Sequence, residues 1–419
     1  MTQLLIQNCW LDGRQTDILI EGNRIARIAT GIEAPGADRM DAGGMAAMPP
    51  FYNTHNHLAM SLLRGYADDM ELFTWLNDHI WPLEATLTPG DVYIGTRLAL
   101  LEMIRGGTVF FNDMYWFQEA AWRAAVEMGV RGCIGLLYIC GPDGRVREQT
   151  RAGNDMVREL AGTGDGRIRL AHAPHAVYTV PPAMLETIAA EAAADGLPIH
   201  IHCSETEREN LDCRKQYGVS PAALLDRCGL LGERTVLAHA VHLDRDDMAL
   251  LKERRAVISH CPCSNLKLTS GLFRYQPVVE EHGIRFTIGT DGCASSNNLS
   301  MLEAMKFAAL LAKQESGDPA VAPCRDIFRA ATRNGAGAFG IDAGIIAEGK
   351  LADLMLVNRH DPMMVADFDV ISNLVYSADT SVIDTVICNG RVLMRNRQVD
   401  GEEEIIREAR AWCASRRRK

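Results

Sequence analysis

The chain carries two textures of hydrophobic patterning. Near both ends, short apolar runs alternate with turn residues: Leu4–Gln7, Asp17–Ile20 and Arg24–Ile28 read as strands, with Glu21-Gly22-Asn23 turning between the last two. Leu351–Val357 and Val382–Leu393 repeat that texture, the second as strands around a turn. The middle instead alternates short apolar runs with longer helical periods. Strands are predicted at Met48–Phe51, Thr108–Phe111, Arg131–Leu136, Ile168–Ala173, Pro198–His202, Thr235–His239, Ala256–Ser259 and Arg285–Gly289. Helices are predicted between them, among them Pro89–Arg105, Pro182–Ala194 and Asp244–Arg254. Eight strands in roughly 240 residues have the size and rhythm of a (β/α)8 barrel, whose chemistry sits at the C-terminal strand ends. The expected fold is therefore α/β: a TIM-like barrel over residues 49–346, with a small β-sandwich domain built from both termini, residues 1–48 and 347–419. A doubly wound open sheet is the alternative, but no Gly-rich phosphate loop follows the first strand.

Composition narrows the class. A chain of 419 residues with 47% hydrophobic and 23% charged residues is globular rather than disordered. A net charge of −11 argues against general attraction to nucleic acid or anionic membrane, and the basic tail Arg416-Arg417-Arg418-Lys419 reads as a solvated terminus. No run of about 18 apolar residues offers a membrane span. Met1-Thr2-Gln3 leads straight into a strand pattern, with no signal-like leader. Twelve cysteines without a repeated spacing read as reduced, mostly buried thiols of a cytoplasmic protein.

The polar residues that end the predicted strands change the picture most. The first strand runs into Asn53-Thr54-His55-Asn56-His57; residues i and i+2 of a strand share a face, so the two imidazoles point the same way. Strand four ends in His172 and His175, strand five in His200-Ile201-His202-Cys203-Ser204-Glu205, strand six in His239, and strand eight in Gly289-Thr290-Asp291-Gly292. Any one of these histidines alone is most simply a structural residue. Together on one barrel rim, imidazoles and a carboxylate suit a borderline divalent metal such as zinc or iron. Such a metal brings the pKa of a bound water toward about 7. Glu205, three residues beyond His202, stands where it can move protons. The first lysine in the chain is Lys215, after strand five, so no lysine on strand four can bridge two metals and a single ion is expected.

The combination of Asn53-Thr54-His55-Asn56-His57, His200-Ile201-His202-Cys203-Ser204-Glu205-Thr206, His239, Ser259-His260-Cys261-Pro262-Cys263-Ser264-Asn265 and Gly289-Thr290-Asp291-Gly292 resembles the amidohydrolase superfamily. Within it, the chain is similar to the chlorohydrolase and aminohydrolase branch that includes 5-methylthioadenosine/S-adenosylhomocysteine deaminases. The resemblance covers nearly the whole chain, including Gly349-Lys350-Leu351-Ala352-Asp353. It implies one divalent metal per chain, zinc first with iron(II) or manganese(II) as alternatives, held by His55, His57, His202 and Asp291. It implies Glu205 as proton shuttle, His239 as the group that polarises the attacked centre, and Asp291 as acceptor of a proton from water at the metal. The implied reaction is hydrolysis of an exocyclic amine on a heterocycle, with loss of ammonia. Cys261 and Cys263 are spaced wrongly for the Pro-Cys-x-x-Cys signature of the small zinc deaminases and read as packing residues.

The same resemblance carries the substrate expectations. Within Met70–Leu76 and Ile80–Glu84, Trp75 is expected to line the pocket and Glu84 to accept ribose hydroxyls. His175 matches a substrate-contacting histidine, Arg145 or Arg147 reaches a 5′ substituent, Ser295 contacts the ring, and Glu205 also touches the substrate. The expected substrates are adenosine derivatives: 5-methylthioadenosine, S-adenosylhomocysteine, 5′-deoxyadenosine or adenosine. The alternatives are another heterocycle (guanine, 8-oxoguanine or a pterin), a triazine, or a barrel that binds without catalysis. Neither nucleic acid nor membrane is an expected partner, and a homo-oligomer is left open. His260 is not a ligand in the resemblance, and His79, His242, His282 and His360 read as ordinary surface or structural residues. Departures from the branch pattern at Pro50-Phe51-Tyr52 and Cys293 touch none of the ligands.

Overall fold

The computed structural model describes residues 3–141 and 143–416. Of the basic tail, Arg417, Arg418 and Lys419 lie outside the described residues, while Arg416 stacks over Trp412 and pairs with Asp91 at 3.3 Å. The N-terminal strands are β1 (Gln3–Leu11), β2 (Arg14–Glu21), β3 (Arg24–Ala29), β4 (Asp38–Asp41) and β5 (Met45–Met48). Pro49-Pro50 then ends this segment, because neither residue can donate a ladder hydrogen bond. The expected strand Met48–Phe51 is therefore corrected. Met45–Met48 belongs to the terminal sheet, and a separate strand, β6 (Phe51–Asn56), opens the barrel. That strand runs further than expected, so His55 lies inside it and His57 follows directly.

The barrel continues with β7 (Thr108–Asp113), β8 (Arg131–Tyr138), β9 (Ile168–Pro174), β10 (Ile199–Cys203), β11 (Thr235–His239), β12 (Val257–His260) and β13 (Arg285–Ile288), all paired in parallel and in chain order. These strands are buried almost throughout, because side chains fill the interior and helices cover the outside. The predicted helix Pro89–Arg105 is present, started by a reciprocal cap between Thr88 and Asp91. The first and last strands meet through the Asp291 N–H donating to the His55 carbonyl at 3.0 Å and Asn53 Nδ2 donating to Thr290 Oγ1 at 2.7 Å. Gly289 allows that approach, since a Cβ there would stand 2.9 Å from the Cβ of His55. The chain thus closes into a barrel at the position that carries the first histidine.

After the barrel, β14 (Leu354–Asn358), β15 (Ile383–Cys388) and β16 (Arg391–Met394) return to the terminal sheet, whose order is β16-β15-β14-β5-β1-β2-β3 with β4 on β1. A buried ion pair ties this sheet to the barrel. Arg131 Nε and Nη2 donate to the two Asp353 oxygens at 2.7 and 3.1 Å, and Tyr52 Oη and the Asn389 N–H donate to the same carboxylate at 2.9 and 2.7 Å. The last helix, Glu402–Arg416, lies on Pro89–Arg105 through Arg97–Glu408 at 2.8 Å and Trp412 Nε1 to Asp91 at 2.7 Å. All twelve cysteines are free thiols. Among the described residues, no helix is long and apolar enough to cross a membrane.

Candidate metal centre and active site

At the C-terminal rim, the partners of each histidine decide which nitrogen faces inward. His57 Nδ1 bonds the Met114 carbonyl at 2.6 Å and His202 Nδ1 bonds the His175 carbonyl at 2.7 Å. A carbonyl only accepts, so each neutral ring carries its proton on Nδ1 and presents an Nε2 lone pair to the interior. His55 Nδ1 pairs with His200 Nε2 at 2.8 Å, leaving His55 Nε2 buried and without a hydrogen bond. Asp291 Oδ1 lies 3.3 Å from His55 Nε2 and 3.2 Å from His57 Nε2. Its Oδ2 accepts from Ser264 Oγ at 2.6 Å and Ser295 Oγ at 2.9 Å. Two overlapping donor groups result, His55–His57–Asp291 and His55–His202–His239, each with ligand atoms within 4.8 Å of one another. Inward lone pairs, one carboxylate and an orphaned imidazole nitrogen fit a single divalent cation.

The electrostatics separate the two imidazoles of the His55-x-His57 pair. Burial pushes the His55 imidazole down to about 4. At His57 burial opposes the charge, but the hydrogen bond and charge of Asp291 outweigh it and push the ring up to about 9. Burial alone would raise Asp291; the two imidazoles instead hold it well below the usual carboxylate range. Glu205 is raised by burial, eased by His239, whose Nε2 stands 3.7 Å from Glu205 Oε2. The other side of His239 is fixed by Nδ1 bonding Asn265 Oδ1 at 2.8 Å, and Ser270 Oγ donates to Glu205 Oε1 at 3.2 Å. Four residues at or just past the strand ends take left-handed backbone: Ser204 (φ 51°), His239 (φ 70°), Ala240 (φ 49°) and Asp291 (φ 64°). Each such conformation costs roughly 1 kcal/mol or more and persists where a site demands a particular side-chain aim.

The family model for amidohydrolases matches residues 46–393. This chain belongs to the amidohydrolase family. It is 46% identical over 373 residues to a 5′-deoxyadenosine deaminase of Methanospirillum hungatei JF-1, covering 88% of this chain and 83% of that protein. It is 43% identical over 426 residues to a 5-methylthioadenosine/S-adenosylhomocysteine deaminase of Pelotomaculum thermopropionicum, covering 98% of each. A solved adenosine deaminase from Xanthomonas campestris with bound zinc superposes with a TM-score of 0.92 at 32% identity, over 100% of this chain and 99% of that one.

In this amidohydrolase the rim opens into a cleft lined by His57, His175, His202, Glu205, His239 and Asp291 at its base and by Trp75, Trp81, Glu84, Tyr115, Trp116 and Tyr178 along its walls. Trp75 and Glu84 are among these lining residues. The Trp75 indole N–H donates to the Ala67 carbonyl at 3.2 Å, and Glu84 accepts from Trp116 Nε1 at 3.3 Å with its carboxyl raised by burial. His175 also lines the cleft, its Nδ1 3.0 Å from Thr179 Oγ1. Ser295 requires a correction: it does not line the cleft, because its hydroxyl is turned back to Asp291 Oδ2 and the Gly292 carbonyl. Arg145 is likewise corrected. It is tied into a turn by its N–H to Asp143 Oδ1 and its carbonyl from Gly141, and it faces solvent; Arg147 instead lines an outer cleft sharing Trp81, Glu84, Trp116 and Tyr178 with the inner one. His172 bonds Tyr138 and Asp195 outside the cleft. Sequence reasoning missed Ser264, Asn265, Ser270, Trp81, Trp116 and Tyr178. Ser264 and Asn265 stand in the segment Ser259–Asn265 and Trp81 in Ile80–Glu84, both already singled out, whereas Trp116 carries no local signal.

Proposed function

We propose that this amidohydrolase deaminates adenosine derivatives hydrolytically, giving the inosine analogue and ammonia, with one divalent metal, zinc, held by His55, His57, His202 and Asp291. The observation that carries this reading is the pairing of Glu205 with His239 at 3.7 Å, beside the inward imidazoles and at the base of an aromatic cleft. When bound, a divalent ion there supplies the Lewis acidity that brings the pKa of water toward about 7. Burial raises Glu205, so its carboxyl can carry a proton at higher pH than an exposed one. It gives that proton to the ring nitrogen beside the amine-bearing carbon. The two protons lost by the attacking water as its oxygen becomes the ring carbonyl then go one to the departing amine and one back to Glu205, so that ammonia leaves and the carboxyl is restored. Asn265 Oδ1 accepts from His239 Nδ1–H, so a proton taken up at Nε2 makes His239 a cation facing both Glu205 and the oxygen that develops on the attacked carbon.

In this reading a purine lies against Trp75, Trp81 and Trp116 and Glu84 accepts two vicinal ribose hydroxyls, supported by the presence of all four in the cleft lining. Arg147 takes a 5′ substituent in this reading, supported by the outer cleft's sharing of Trp81 and Glu84 with the inner one. The relatives named for 5′-deoxyadenosine and for 5-methylthioadenosine/S-adenosylhomocysteine support a nucleoside rather than a free base, and the zinc-bound relative supports zinc. The free thiols support a cytoplasmic location. The test is a panel of nucleosides and free bases followed by ultraviolet change and ammonia release. Turnover of 5′-deoxyadenosine, 5-methylthioadenosine, S-adenosylhomocysteine or adenosine is expected. Turnover of guanine, a pterin or a triazine with every nucleoside inert would overturn the substrate assignment.

A further inference from the structure

Glu205 sits in the middle of a three-residue link, Ser204-Glu205-Thr206, between β10 and the helix Glu207–Tyr217. Few groups hold its side chain: among the described residues, Ser270 Oγ is the one hydrogen-bond donor to its carboxylate. Its aim must therefore be set by the backbone. Ser204 is left-handed at φ 51°, and its carbonyl accepts from the Val241 and His242 N–H groups at 3.0 and 2.9 Å. The next link in the hold is Glu209, one turn into the helix and only 3% exposed. Thr206 is the N-cap and accepts from the Glu209 N–H at 3.1 Å. In a capping box the glutamate at that position returns to the N–H of the cap itself. Here it reaches one residue further, and Glu209 Oε2 accepts from the Glu205 N–H at 2.7 Å. Its other oxygen, Oε1, is buried with no hydrogen-bond partner among the described residues, and burial pushes the carboxyl up to about 8. An exposed serine or aspartate would cap this helix at less cost than a buried, half-satisfied carboxyl, so capping alone does not account for Glu209.

We propose that Glu209 is a positioning residue for the reaction: its carboxyl clamps the Glu205 backbone, and with it the left-handed turn at Ser204, in the conformation that aims the Glu205 carboxyl at the substrate. The proposal rests on the role of Glu205 given above. Its consequence is specific, because a carboxyl displaced by about 1 Å can lose on the order of 100-fold in rate. The experiment is a double-mutant cycle on the metal-loaded enzyme, with metal content and hydrogen exchange of the 203–210 peptide followed in parallel. Glu209→Ala should lower kcat about 10- to 100-fold, leave KM and metal content within about threefold, and release protection of the Glu205 amide. Glu209→Gln keeps an accepting oxygen and should stay within about threefold of wild type. In a Glu205→Gln background, Glu209→Ala should cost less than twofold more, since nothing is left to aim. Where the alanine variant fails to fold, Glu209→Asp, too short to reach, takes its place. Wild-type activity in Glu209→Ala, an equal loss in both backgrounds, or a Glu209→Gln as impaired as the alanine variant overturns the proposal. Failure of the underlying reading looks different: Glu205→Gln itself would then be fully active.

Discussion

Asp353 and Asp291 are both buried aspartates, 0% and 5% exposed, and their surroundings are opposite in kind. Around Asp353 every neighbour is a donor: the Arg131 fork, the Tyr52 hydroxyl and the Asn389 N–H. The charge is matched, and the pair joins the terminal sheet to the barrel. Around Asp291, hydroxyls of Ser264 and Ser295 and the Gly292 N–H hold the carboxylate in place, while the lone pairs of His55, His57 and His202 are turned toward the same space by partners behind them. There the inward Nε2 atoms crowd around Asp291 Oδ1, and among the described residues His55 Nε2 has no hydrogen-bond partner. A satisfied buried charge marks architecture. A convergence of buried acceptors marks a place for a cation.

That contrast can be broken by substitution, starting with the largest effect. Glu205→Gln keeps the acceptor cluster and removes the proton carrier, so steady-state turnover should fall about 10³- to 10⁴-fold, roughly 4–5 kcal/mol, with bound metal unchanged; near-normal turnover would remove Glu205 from the mechanism. Asp353→Ala leaves Arg131 buried without its partner and should cost about 3–5 kcal/mol of stability in urea unfolding, while activity per folded molecule persists. Chelation should lower stability by about 2.7 kcal/mol relative to metal at 100 times its Kd, and Asp291→Ala should show no such response. The smallest effect is at the cleft wall: Glu84→Gln should raise KM for nucleosides about 10-fold, about 1.4 kcal/mol, and change kcat less. Equal loss with a substrate lacking the ribose hydroxyls would remove that role.

The barrel was legible because parallel strands covered on both faces are short and apolar throughout, and because the helices between them are amphipathic and capped. Met48–Phe51 was misplaced because hydrophobicity continues across Pro49-Pro50, whereas hydrogen bonding does not. The rim histidines and Asp291 were legible from their position at strand ends. The groups that orient them were not, since the carbonyls of Met114 and His175 are backbone atoms with no signature in residue type. Ser295 was misread because four residues of separation from Asp291 do not reveal that the short helix Cys293–Ser296 turns its hydroxyl back onto the carboxylate. Trp81, Trp116 and Tyr178 meet only through tertiary packing of separate segments, which local pattern does not encode.

The most direct test of the claim that these buried acceptors form one metal centre is elemental analysis of the purified, metal-reconstituted protein beside its Asp291→Ala and Asp353→Ala variants. One equivalent of divalent metal per chain is predicted for the wild type and for folded Asp353→Ala, and none for Asp291→Ala. Two equivalents in the wild type, or none, would contradict a single-metal centre.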